Sequence, residues 1–229
     1  MFIAITLLIL LTSITVAYIY SYLILNTNIL ADYRVQNIRY TTGVFEKHIG
    51  LIGFNIAILA ALTFVGLYFF EWIFIFETPS IWMFALQVLI IMAIDDTWFY
   101  FSHRALHENE MLFAKIHKIH HRACPPFPLE FIYVHPLEWM LGAVGILFGV
   151  VVVYIGFGEV NAYAFWAYSF YRNIHEVEIH SGIRSIFAHK IPFFGTTEHH
   201  DYHHSLLKGN YASTFKFWDW LLGTELKTK

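Results

Sequence analysis

The chain contains a single cysteine, Cys124. It can form no internal disulfide, and a cysteine-rich zinc module is excluded. Charge is scarce as well. Only 14% of residues are charged, against about a quarter in soluble domains. A net charge of -3 with histidines neutral offers nucleic acid no basic surface. No internal repeat, low-complexity tract or long polar linker interrupts the 229 residues, a length suited to one domain of ordinary size. No glycine-rich nucleotide fingerprint follows a strand, and no haem-attachment CxxCH is present. Any redox chemistry must therefore draw its electrons from outside the chain.

What is abundant is apolar surface, at 58% hydrophobic and 19% aromatic residues. Residues 2–25 carry no acidic or basic side chain, which is enough to cross a hydrocarbon core of roughly 30 Å as a helix. A cleaved signal peptide would begin with basic residues and hold a shorter apolar run, so this segment reads as a retained span. A second run covers residues 49–70 and continues past Glu71 to residue 76. The third covers 81–94 and ends at Asp95 and Asp96. The TPS turn (78–80) makes these two a hairpin. A fourth run covers 139–157. A shorter aromatic segment, 162–171, follows the GFGEVN turn (156–161) and pairs with the fourth as a hairpin. Its aromatics read as helix packing or an interfacial belt. With no alternating strands, the expected fold is all-α, an integral membrane helical bundle.

Basic residues orient the set. Arg34, Arg39 and Lys47 follow the first span, and Arg104, Lys115, Lys118 and Arg122 follow the third, whereas TPS and GFGEVN hold no Lys or Arg. The positive-inside rule then puts the N-terminus outside and both histidine-rich segments, 103–135 and 175–204, on the cytoplasmic side. The closing KTK is too weak a pattern to read as a retrieval signal.

Histidine is the outlier, at 14 residues. His103 and His107 are spaced i, i+4 and share a helical face, with Asp96 nearly on it. His117, His120 and His121 form HxxHH, read as three imidazoles on one helical face. His200, His203 and His204 repeat the arithmetic within EHHDYHH, and HEVEIH adds His175 and His180 between them. A lone histidine usually serves as a hydrogen-bonded core or surface residue. Several clusters on one side of a membrane are not independent events. So many imidazoles exceed what one zinc takes. They suit two metal ions, and an all-nitrogen pair beside a membrane fits non-haem iron and dioxygen. The carboxylate-rich pattern of soluble di-iron bundles is absent. PPFP (125–128) stops the helix after the second cluster.

HRALH, KIHKIHH, YVHPLEW, EIHSG, HHDYHH and NYASTFKFWDWLLGT together resemble the fatty acid hydroxylase/sterol desaturase superfamily of membrane di-iron oxygenases over residues 95–224. Within it, DDTWFYFSHR, HPLE and HHDYHH are similar to the C-4 methylsterol monooxygenase branch. The resemblance implies a metal set of His103, His107, His117, His120, His121, His175, His180, His200, His203 and His204, with no catalytic residue beyond the ligands. At His175 the methylsterol branch tends to have an acid, while the fatty acid hydroxylase branch has a histidine. Asp96, His135, Glu138, Glu178, His199 and Asp201 are candidates to hold the outward ring nitrogens. WDW is assigned packing.

The resemblance further implies two iron ions, O2, and electrons from cytochrome b5 or a ferredoxin with its reductase. The substrate would be a lipid from the bilayer, a sterol oxidised at its C-4 methyl, and no nucleic acid is involved. A desaturase, or a fatty acid or sphingolipid hydroxylase, is the alternative within the superfamily. The expected home is the endoplasmic reticulum in a eukaryote and the inner membrane in a bacterium. The expected division is 1–94 as N-terminal spans and 95–229 as the catalytic domain, including a membrane hairpin at 139–174. A metal transporter would hold its ligands at the bilayer midplane in broken helices, whereas these clusters follow the spans. A non-catalytic metal- or lipid-binding relative would have lost a histidine cluster, and none is lost.

Overall fold

The computed structural model describes residues 1–38, 40–122 and 124–226. Arg39, Lys227 and Lys229, which entered the charge reading, lie outside the described residues. Among those described, four helices are long and apolar enough to cross a membrane. They are α1 (Phe2–Asn26), α2 (Val44–Phe70, extended by a short 3-10 turn to Ile73), α3 (Ile81–Glu108) and, after the short helix α4 (Glu110–Lys115), α5 (Pro136–Phe157). The chain continues through α6 (Ala162–Ile179), α7 (Thr197–Leu206) and α8 (Phe217–Leu221). The expected helical membrane fold is the observed one.

The spans are sided in the sense a bilayer requires. On α1 the buried positions are Phe2, Thr6, Ser13, Ala17, Ser21 and Ile24, while Leu8 and Leu11 are 59% and 60% exposed. Four of these six buried side chains are small or hydroxylated, because lipid is as apolar as leucine and small residues let backbones approach. The hydroxyls cost little there. Thr6 and Ser21 donate to the carbonyls of Phe2 and Ala17, one turn earlier, at 3.0 and 2.7 Å.

α3 and α5 lie against each other through two glycines. A Cβ on Gly149 would lie 2.9 Å from the Ile91 Cα, and one on Gly145 would fall against the Asp95 carboxylate. This closeness lets α3 carry its histidines past the end of the neighbouring span. α6 packs on α1 and α3. Its Arg172 donates to Asp95 at 2.6 Å, and Tyr168 donates to the same carboxylate oxygen at 2.6 Å. The aromatic segment expected at 162–171 is the first half of this 18-residue helix. α6 is not among the four apolar spans. α3 also runs unbroken through Ile94 and Asp95, so the spans and the histidine region share one continuous helix.

The two ends of the bundle differ. At one end two-residue strands, β1 (Phe74–Ile75) and β2 (Val160–Asn161), pair in parallel and join the TPS and GFGEVN turns. With the isolated bridges Arg34–Ile183 and Phe194–Phe215, they are the β-structure among the described residues. At the other end α1, α3 and α6 finish and α2 and α5 begin. The connector after α1 is strapped to the one after α6, with Val35 N–H donating to Gly182 O at 2.9 Å and Arg184 N–H to Tyr33 O at 2.8 Å. The stretch after PPFP is a 3-10 turn, Pro128–Ile132, wedged between α1 and α2. Ser21 accepts from Leu129 N–H at 2.9 Å, Asn55 donates to the Ile132 and Val134 carbonyls at 2.8 and 2.9 Å, and His48 meets the fully buried Glu130 at 2.6 Å. Polar side chains of the spans thus satisfy irregular backbone that would otherwise be stranded.

Candidate metal centre

All of the histidine clusters meet at that second end. His103 and His107 come from the last two turns of α3. His117, His120 and His121 come from a 3-10 turn, His117–Arg122, that follows α4. His180 caps the C-terminus of α6. His200, His203 and His204 come from α7, whose first turn is held by Thr196 accepting from His199 N–H at 3.2 Å.

Nine of these imidazoles form two groups. His103, His107, His117, His121 and His203 make one, and His120, His180, His200 and His204 make the other. Within each, one nitrogen per ring lies within 4.8 Å of the rest. The HxxHH triads were expected to present three imidazoles on one face. The structure divides each triad instead. His117 and His121 enter one group and His120 the other; His200 and His204 enter one and His203 the other. On α7 the cause is helical geometry. Residues i and i+4 lie about 40° apart around the helix axis and residues i+3 and i+4 about 100° apart, so His203 and His204 diverge. Each triad is a wedge between the groups, which share a wall where the His121 and His204 rings lie 4.5 Å apart. His175 enters neither group. It is buried against Tyr171 and Phe194, at centroid distances of 5.7 and 5.4 Å.

The outward nitrogens show what the inward ones are for. Nδ1 of His103, His107 and His203 donates to the carbonyls of Tyr211, Leu207 and Gly209 at 2.7, 3.0 and 2.7 Å. Nδ1 of His180 donates to the Glu176 carbonyl at 2.8 Å. A carbonyl only accepts, so each of these rings carries its proton on Nδ1 and turns a bare Nε2 inward. Nδ1 of His117 lies 2.9 Å from a Glu138 carboxyl oxygen, without hydrogen-bond alignment. The inward nitrogens crowd together. His103 and His117 approach to 3.1 Å, His117 and His121 to 2.9 Å, and His180 and His200 to 2.9 Å. The Nε2 of His203 is buried with no protein partner.

Burial also fixes protonation. It pushes the His121 imidazole down to about 3, and the neighbouring His103 and His180 add to the effect. His117, His120, His200, His203 and His204 are held well below the usual imidazole value, first by burial and then by one another. Neutral imidazoles with converging lone pairs repel unless a cation sits between them. The donor set, all nitrogen without thiolate, fits a transition metal in each group.

The supporting residues sort by contact. Of the candidates named from sequence, Glu138 faces a grouped imidazole. Asp96 instead accepts from the backbone N–H groups of Thr214 and Phe215 at 2.9 and 3.1 Å, anchoring the loop that carries Tyr211. His135 caps α5 by accepting from Leu137 N–H at 3.1 Å. Asp201 accepts from Gln36 at 2.7 Å, and burial raises its carboxyl to about 6. His199 lies 3.2 Å from Asp219, which accepts from Tyr211 and Ala212 N–H at 2.9 Å each and so fixes the carbonyl beneath His103. Glu178 contacts no grouped imidazole and lines a cavity with Tyr20, Tyr33 and Phe187.

Glu176 and Asp219 were not singled out in the sequence. Glu176 had a signal, since it lies i, i+4 from His180, the helical spacing that Glu178 lacks. Asp219 and the loop carbonyls had none, because backbone acceptors are invisible in a residue pattern.

Three comparisons bear on the identity of the chain. A fatty acid hydroxylase family model matches residues 88–224, more than half of the sequence. A methylsterol monooxygenase of Aspergillus fumigatus is 37% identical over 150 residues, covering 64% of this chain and 50% of that protein. Methylsterol monooxygenase 1 of Rattus norvegicus is 36% identical over 162 residues, covering 69% and 53%. A very-long-chain aldehyde decarbonylase of Oryza sativa subsp. japonica is 34% identical over 152 residues, covering 61% and 52%. The chain spans about half the length of these curated relatives. No solved structure matches it.

Proposed function

The chain belongs to the fatty acid hydroxylase family, and on that premise we propose that it is a membrane-bound, non-haem di-iron monooxygenase that oxidises a lipid. The leading substrate class is a sterol bearing a C-4 methyl group, in line with the names of the Aspergillus and rat relatives. One observation carries the reading. Nine imidazoles gather in two groups, one nitrogen per ring within 4.8 Å of the rest, at one end of four apolar helices.

One iron in each group, when bound, supplies the redox chemistry with O2 that an unactivated C–H bond demands. Everything else is the work of the chain. Backbone carbonyls fix the rings of His103, His107, His180 and His203, and Glu138 steadies His117. Burial keeps the imidazoles unprotonated near neutral pH, so protons do not compete with metal for the lone pairs. Packed aromatic and aliphatic walls exclude water from a reaction that must not be diverted.

The basic residues Arg34, Lys47, Arg104, Lys115, Lys118 and Arg122 support a cytoplasmic position for the histidine end. The home would be the endoplasmic reticulum in a eukaryote and the inner membrane in a bacterium. Electrons would come from cytochrome b5 or a ferredoxin with its reductase.

Lipid profiles of cells with and without the chain, alongside cells carrying His203→Ala, test the function. Accumulation of 4-methyl sterols both on loss of the chain and in the variant is expected. An unchanged profile in the variant would sink the oxidase reading. A change confined to 2-hydroxy fatty acids would move the substrate to the other branch.

A further inference from the structure

The outer side of α8 is inverted for a surface that meets water. Asp219, the acidic residue of its WDW motif, is fully buried. Trp220 and Leu221 are 55% and 50% exposed, and Phe217 and Leu222 are exposed beside them. Trp218 turns the other way, onto Tyr100 and Phe101 of α3 at centroid distances of 6.0 and 5.4 Å. Phe193 joins the exposed set, its ring 6.0 Å from Phe217 and 5.4 Å from Trp220. The φ of Phe193 is 59°, an expensive left-handed backbone for a side chain of this size. We propose that α8 and the Phe193 loop are immersed in the headgroup–acyl boundary of the membrane that the spans cross, and that this lipid contact steadies the loop beneath His103.

Depth along α3 puts the patch at that boundary. α3 opens at Ile81, and Phe101 stands about 30 Å further along its axis at a rise of 1.5 Å per residue. That is about the thickness of the hydrocarbon core. Phe101 is itself exposed, on a helix long and apolar enough to span. Trp218 packs on it, so the outer face of α8 continues the lipid-facing side of α3. Single exposed apolar side chains are ordinary on any protein surface. A contiguous set holding a tryptophan and two phenylalanines, at this level, has the composition of an interfacial belt. Lys190 and Lys216 border the set in sequence, and their charge suits anionic headgroups.

The patch and the metal centre share α8. The Phe193 loop is tied to the chain before α8 by the Phe194–Phe215 bridge and by Gly195 N–H, which donates to Thr214 O at 2.7 Å. On the inward side Asp219 accepts from Tyr211 and Ala212 N–H at 2.9 Å each and from the Thr224 hydroxyl at 2.6 Å. The Tyr211 carbonyl in turn accepts from Nδ1 of His103 at 2.7 Å. α8 therefore has a metal side and a bilayer side. A helix of five residues is not stable alone. Trp218 holds it from the protein, and lipid around Phe217, Trp220 and Leu221 holds it from outside. The placement needs only the spans and is independent of the oxidase reading.

Fluorescence quenching reads the depth without turnover. A thiol-reactive NBD label is placed by Trp220→Cys or Leu221→Cys in a Cys124→Ser background. Leu11→Cys on the exposed side of α1 is the lipid reference, and Glu110→Cys at the exposed start of α4 is the water reference. Each iron-loaded chain, one per nanodisc of phosphatidylcholine and phosphatidylserine, is quenched by iodide from water and by doxyl-labelled phosphatidylcholine from the bilayer. Iodide should quench at 220 and 221 at least threefold less than at 110, and doxyl lipid should quench there at least threefold more. Iodide access equal to that at 110, protection from both quenchers, or protection that requires two chains per disc overturns the proposal. The link to the metal is read by iron titration. Trp220→Ser should weaken iron binding by the five-histidine group at least fivefold while the four-histidine group keeps its iron. Trp220→Leu, apolar but of different shape, should restore binding. Equal losses in both variants, or a loss in neither, would show that lipid contact does not steady His103 and would also overturn the proposal.

Discussion

The Nε2 atoms of His107 and His117 lie 2.6 Å apart. His107 places its proton on Nδ1, toward the Leu207 carbonyl, and burial holds His117 neutral. The bare Nε2 of His107 therefore points into a group of five imidazole nitrogens. The arrangement is stable when a cation lies between them, so metal binding and folding are one equilibrium. Chelation under reducing conditions should lower the melting temperature in detergent, and Fe(II) should restore it. At a free ion concentration about a thousandfold above Kd the stabilisation is about 4 kcal/mol. A melting curve indifferent to chelator and iron would contradict the cation reading.

Glu138 begins α5 and reaches His117 across a helix boundary. Glu138→Gln keeps the shape and removes the carboxyl group. Metal affinity of the five-histidine group should fall about 10–100-fold, measured by competition with a chelator of known affinity, with helix content unchanged by circular dichroism. An unaltered affinity would reduce Glu138 to a packing residue.

His175 separates resemblance from geometry. It was expected among the ligands, yet its ring stacks on Tyr171 and lies in neither group. His175→Phe should keep the full iron content and the electronic spectrum of the loaded protein. Loss of an iron equivalent would return His175 to the ligand set.

Gly149 tests the packing that positions α3. A Cβ there meets backbone of Ile91, its Cα at 2.9 Å and its carbonyl oxygen at 3.0 Å, and backbone cannot rotate away. Gly149→Ala should destabilise the bundle by about 1–3 kcal/mol, as overpacking does, and denaturation in mixed micelles would read it. Gly156, where nothing lies within 4 Å of an added Cβ, is the control, and equal losses at both positions would count against close approach as the cause.

The sequence made some of this architecture visible and hid the rest for identifiable reasons. Uninterrupted apolar runs announced α1, α2, α3 and α5, because a bilayer demands length and lack of charge. The i, i+4 spacing placed His103 with His107 and His200 with His204. It could not show that His120 and His203 turn away from their triads, since which face meets which metal is decided by α3, α6 and α7 together. Nor could it show that Asp96 and Asp201 serve loops and α7 instead of imidazoles, because their partners lie 118 and 165 residues away in sequence.

The central claim is that each HxxHH triad serves two separate metal ions. It is tested most directly by the iron content of the purified chain beside that of His203→Ala and His200→Ala. One iron in each histidine group of the parent is expected, with each variant keeping the iron of the untouched group. If the parent holds no iron, or if either variant loses both ions together or neither, the division of the histidines into two metal sites is wrong.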